Sequence, residues 1–178
     1  VPETQGMAVS FGLPLLHRGA LFNTAALAVD GTLLGIVAKQ HLDYCNKAQI
    51  VELGHWFRDS ELRVNSLHSP LYRDDVGGRS GPQSVISITE RDKGKRIAAV
   101  DDIKRTLEIA EYVPTRYLIQ HLGVTDEEFS EYSVDAAFPA WEELTLFAKQ
   151  RGVELLLENT PNGLASSERL LTFFELTH

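Results

Sequence analysis

Three side chains in this sequence combine metal-donor chemistry with a shared position. His68 closes residues 62–68 (LRVNSLH), His121 closes 116–121 (RYLIQH) and Glu158 closes 153–158 (VELLLE). Each stretch reads as a short strand, so two imidazoles and a carboxylate stand at three successive strand ends. Equivalent end positions of neighbouring parallel strands lie about 5 Å apart laterally. All three can therefore reach one ion, and this mixed nitrogen and oxygen set suits zinc, manganese or iron better than calcium. Parity agrees, since Val64, Ser66 and His68 share one strand face, as do Tyr117, Ile119 and His121. The competing reading is structural: a strand-end histidine often serves as a hydrogen-bonded packing residue, and Glu158, emerging behind three leucines, would then pair with a neighbouring arginine.

The elements that must position these residues follow from periodicity. Residues 47–59 set Ile50, Val51, Gly54 and Phe57 on one helical face, and residues 95–111 do so with Ile97, Val100, Lys104, Leu107 and Ala110 before Pro114. Residues 134–151 repeat the pattern with Val134, Phe138, Trp141, Leu144 and Phe147, and Gly152 is the expected stop. A last helix, capped by Ser166 or Ser167, runs through Phe174. Trp56 and Trp141 are expected to pack. Helical periodicity alternating with short strands predicts an α/β chain of three consecutive β/α units on a parallel sheet. In barrels of such units the active site lies at the carboxyl ends of the strands, where all three donors fall.

Upstream, two apolar stretches over residues 21–38 flank Asp30-Gly31, which predicts a β-hairpin. The glycines and proline ahead of it predict loop with at most one short strand. Residues 73–95 read as a long polar loop, placed to act as a lid over the strand ends. Its Arg79 and Lys93 either meet a phosphate or are solvated loop charges.

Composition bounds the function classes. With 43% hydrophobic and 24% charged residues among 178, the chain is of ordinary globular composition. A net charge of −8 argues against general affinity for nucleic acid or anionic membranes. The single cysteine, Cys45, allows no internal disulfide and no paired-cysteine zinc site, so a reducing, cytoplasmic setting is expected. No apolar run approaches the length of a membrane span. The termini, without a leader and directly behind a helical pattern, suggest a fragment.

The stretches HLDY (41–44), SLHSPLY (66–72), YLIQHLG (117–123) and LLLENTPN (155–162) resemble the xylose-isomerase-like TIM barrel superfamily of sugar-phosphate isomerases/epimerases and apurinic endonucleases. The resemblance implies a partial TIM barrel over 41–178 and a divalent metal (Mn, Zn or Mg) on His68, His121 and Glu158. Glu158 would also be a catalytic acid/base, acting on a small sugar or sugar phosphate. The family's later ligands would lie beyond His178. Residues 12–42 are similar to the nitrilase, or carbon–nitrogen hydrolase, domain of glutamine-dependent NAD synthetases, and Lys39 matches the lysine of that family's Glu-Lys-Cys triad. Together these imply two partial domains, 1–40 and 41–178. The leading expectation is a metal-dependent isomerase/epimerase-like chain. The alternatives are a non-catalytic remnant that pairs its open sheet edges as a homo-oligomer, and a glutamine amidase fragment dependent on Lys39.

Overall fold

The computed structural model describes residues 8–17, 20–30, 32–38, 46–59, 63–73 and 85–177. Its contacts divide the chain into two units, Val1–His41 and Leu42–His178. Lys39, Cys45 and Arg79 lie outside the described residues.

The first unit holds three strands, β1 (Ala8–His17), β2 (Ala20–Val29) and β3 (Thr32–Ala38), paired antiparallel in the order β1-β2-β3. The expected hairpin is β2–β3. It turns at Asp30, whose φ of 48° is the left-handed conformation that Asp-Gly turns demand. The ladder shifts register between Leu27 and Ala28, the signature of a bulge. β1 corrects the expectation of a mostly irregular start: it is a ten-residue strand. The sequence alternates Val9, Phe11, Leu13 and Leu15, and Pro14 is compatible with an edge strand, where the missing N–H need not serve an inner ladder.

The second unit alternates helix and strand: α1 (Lys47–Asp59), β4 (Ser66–His68), α2 (Lys93–Ile109), β5 (Tyr117–His121), α3 (Glu131–Lys149), β6 (Glu154–Glu158) and α4 (Ser167–Thr177). β4, β5 and β6 form a parallel sheet in that order. Each helix starts on a side-chain cap. Asn46 and Gln49 bond each other's backbone N–H at 2.9 and 3.0 Å, Asp92 accepts from Lys95 at 2.8 Å, and Ser130 and Ser166 accept from Ser133 and Arg169 at 3.4 Å. Gly152, at φ 69°, lets the chain leave α3 as expected, with Val153 N–H donating back to the Ala148 carbonyl at 3.0 Å.

The sheet has two unlike faces. Leu67, Leu118 and Leu155 point toward the helices and join a core with Ile88, Ile103, Leu107, Trp141, Leu144 and Phe173. Trp141 meets Phe173 edge-on, and Phe173 stacks on Phe138 with ring centroids 4.7 Å apart. The opposite face carries Ser66, His68, Ile119, His121, Leu156 and Glu158, none of them buried. This is the mixed α/β architecture of part of a β/α barrel, in which that second face lines the barrel interior.

Four expectations need correction. β4 covers only residues 66–68 of the expected 62–68, because the Asn65 carbonyl accepts from both Arg116 and Tyr117 N–H at 3.1 Å and ends the regular ladder. The 73–95 stretch is not wholly a polar lid. Ile86 donates its N–H to the Leu71 carbonyl, Val85 bridges Tyr72, residues 86–89 are buried, and Lys93 begins α2. Ile86 and Ile88 recur at strand period beneath the polar composition. Trp56 is 52% exposed, because α1 turns Ile50, Leu53, Gly54 and Phe57 inward. Ile97 is 54% exposed, because the buried stripe of α2 runs through Ala99, Val100, Ile103, Thr106 and Leu107.

Candidate metal centre

The sheet register brings the three donors together. His121 lies directly opposite Glu158, whereas His68 stands opposite Ile119, two residues short of the same level. Side-chain reach closes that gap. The His68 and His121 Nε2 atoms are 3.1 Å apart, and Glu158 Oε2 is 3.3 Å from the first and 3.0 Å from the second. The rings meet at 83° with centroids 4.8 Å apart, so both Nε2 atoms face the carboxylate.

Proton bookkeeping explains what such a cluster can hold. His68 Nδ1 lies 2.7 Å from the Ser69 carbonyl, an acceptor only, so that nitrogen carries the proton and neutral His68 presents a bare Nε2. Neutral His121 can donate at most one Nε2 proton, and Glu158 as a carboxylate donates none. Three lone-pair atoms thus converge with at most one hydrogen among them. Atoms bound about 2.0–2.2 Å from one ion stand roughly 3.0–3.4 Å from each other, and the spacings here match that range. The donor set therefore fits a divalent cation.

The environment favours the proton-free forms of His121 and Glu158. Burial, and secondarily the adjacent His68, lower the His121 pKa below the usual imidazole value, against the opposing pull of Glu158. Burial would raise the Glu158 pKa, but the two adjacent imidazoles, His121 foremost, outweigh it and hold the carboxyl below its usual range. No arginine pairs with Glu158 among the described residues; the two histidines are its partners.

A second layer, which the sequence reading missed, ties the loops beside these strand ends. Asn162 Nδ2 donates to the Leu122 carbonyl at 3.1 Å, while its Oδ1 accepts from Leu164 and Ala165 N–H at 2.8 and 2.9 Å. Glu127 Oε2 accepts from Thr89 Oγ1 and Val124 N–H, each at 3.0 Å, and the Glu127 carbonyl takes the Gly163 N–H at 2.6 Å. Gly163 must be a glycine, because a Cβ there would lie 2.5 Å from Phe129 N. The available sequence signal was Asn162-Gly163, a turn pair whose side-chain amide commonly bonds backbone two residues on.

With fold and geometry defined, the comparisons can be placed. The sequence model of the family described as "Xylose isomerase-like TIM barrel" matches residues 22–177, and the chain belongs to that family. No curated protein sequence matches it. Among solved structures, it is similar to a D-tagatose 3-epimerase-like protein (21% identity, TM-score 0.58, covering 75% of this chain and 48% of that one). It is likewise similar to an L-ribulose 3-epimerase (22%, 0.58, 75% and 44%). A third is a xylose isomerase-like TIM barrel protein from Mycobacterium smegmatis in complex with magnesium (15%, 0.55, 76% and 44%). At these identities the likeness defines the fold, and the chain spans about half the length of the structures it matches.

Proposed function

We propose that this chain carries part of the active site of a divalent-metal-dependent isomerase or epimerase acting on a sugar or sugar phosphate. The observation that carries the reading is the convergence of His68, His121 and Glu158 donor atoms within 4.8 Å of one another at the carboxyl ends of three parallel strands. Family membership and the likeness to an epimerase-like protein and an epimerase support the substrate class. Bound there, a divalent ion would polarise the carbonyl and hydroxyl oxygens of the sugar and lower the barrier to proton abstraction. His68 and His121 hold the ion through Nε2, with His68 fixed in its tautomer by the Ser69 carbonyl. Glu158, kept ionised at neutral pH, supplies a ligand oxygen and is the base that moves the substrate proton.

Calorimetric titration of manganese, zinc and magnesium into the chain, beside His121→Ala and Glu158→Ala, tests the reading. The expected result is one saturable site for at least one of these ions, lost in both variants. A folded wild-type chain that binds none of them overturns it.

One structural observation favours a second reading, a non-catalytic chain that pairs with its own copies. Among the described residues β4 and β6 each pair on one side only, and Leu156 on the open face is 36% exposed.

A further inference from the structure

At the opposite, amino-terminal ends of the same strands the second unit has a cavity of about 910 Å³. Three arginines are among the residues that line it: Arg58 from the last turn of α1, Arg63 ahead of β4, and Arg116 immediately before β5. Among the described residues one carboxylate, Asp59, accompanies them. This concentration of positive charge stands out in a chain of net charge −8. Other arginines have partners of two kinds: Arg73 and Arg105 share Asp102 and Arg151 pairs with Glu111, while Arg96 and Arg169 donate to the backbone carbonyls of Glu90 and Gly163. Among the described residues none of the three cavity arginines makes an ion pair; Arg116 instead lies over the Tyr117 ring, 4.8 Å from its centroid. Stacking on an aromatic face leaves the guanidinium edge and its donors available.

We infer that this cavity is a binding site for a small organic phosphate, separate from the strand-end donors of His68, His121 and Glu158. Guanidinium forks match the tetrahedral oxygens of a phosphate group with paired, charge-assisted hydrogen bonds. An anion bound in this cavity also offsets the repulsion among like charges gathered around it. The volume lies in the range of small-molecule sites, and Phe57 and Val113 in the wall suit the uncharged body of such a ligand. A nucleic acid backbone fits less well, because the net charge of the whole chain repels a long polyanion. The residues involved are shared with none of the proposed metal donors, so this inference stands or falls independently of the catalytic reading.

The test is calorimetric titration of the metal-free 178-residue chain with phenyl phosphate and with inorganic phosphate. Phenyl phosphate is expected to bind saturably and more tightly than phosphate, because only it can use the apolar wall. Arg63→Gln and Arg116→Gln should each weaken binding about tenfold or more, and Glu158→Gln should leave it unchanged. Asp59→Asn, which removes a negative charge from the lining, should tighten it, a gain that misfolding cannot produce. Absence of saturable binding, binding unchanged in both arginine variants, or binding lost in Glu158→Gln overturns the inference.

Discussion

A single hydrogen bond decides the chemistry of His68. Because the Ser69 carbonyl takes the Nδ1 proton, Nε2 is left as a lone-pair donor aimed at His121 and Glu158. The acid response of the metal-free protein follows from the other two donors. His121 has a folded pKa below its unfolded value of about 6.5, so below that pH the unfolded chain binds the extra proton first and stability falls as pH drops. Glu158, also lowered, acts with the same sign: its contribution is present above the ordinary carboxylate pKa and is lost as pH falls through the folded value. Thermal melts between pH 7 and 4 should therefore show a declining midpoint. His121→Asn should flatten the limb just below pH 6.5, and an equally steep limb in that variant would remove His121 as the cause. Asn162 gives a larger effect away from the donors. Asn162→Ala strands the N–H groups of buried Leu164 and Ala165, and each such loss costs about 1–3 kcal/mol, so the melting midpoint should fall by several degrees. Asn162→Asp retains the accepting oxygen and should recover part of that loss. The three donors were readable in the sequence because each closes a strand, but Asn162 and Glu127 were not, since their partners Leu122 and Thr89 lie 40 and 38 residues away.

Elements with strong local signals were read well, β5 and β6 to within one residue, and the misses came where distant contacts set the boundary or the buried face. α1, with Asn46 and Gln49 capping each other, begins and ends where periodicity places it, and Gly152 stops α3 through bonds to the preceding turn. β4 was overestimated because its length is set by how Asn65 meets Arg116 and Tyr117, some fifty residues on. The stripe of α2 was read through Ile97 rather than Ala99, because an alanine carries little hydrophobic signal of its own and is buried by what packs on it. Gly54 of α1 shows how packing reverses a local preference. Alanine is the better helix former by about 1 kcal/mol, yet a Cβ at Gly54 would lie 2.3 Å from the Tyr112 carbonyl oxygen. Gly54→Ala should consequently lower the denaturation midpoint instead of raising it. A stabilised variant would mean that α1 slides away from the α2–β5 connection without cost.

At the scale of the second unit, the governing fact is that among the described residues the inner sheet face is built by β4, β5 and β6. The chain covers 48% and 44% of the two epimerase-type structures it resembles. Here Leu156 is 36% exposed on that face, and β4 and β6 each have one side without a partner among the described residues. Apolar surface and open backbone edges favour association, whereas a net charge of −8 on every copy opposes it. These two forces respond differently to salt: screening weakens the repulsion between copies and leaves the apolar contact intact. If the open face drives pairing, self-association followed by sedimentation velocity should strengthen as salt rises from about 0.01 to 0.5 M, where the Debye length shrinks from about 30 Å to a few Å. Leu156→Lys should reduce it at every salt concentration while leaving the melting midpoint of the dilute chain nearly unchanged, because the side chain it replaces is already in contact with water. A wild-type chain that sediments as a monomer across this whole range would show that the open face does not drive pairing, and that the second functional reading fails with it.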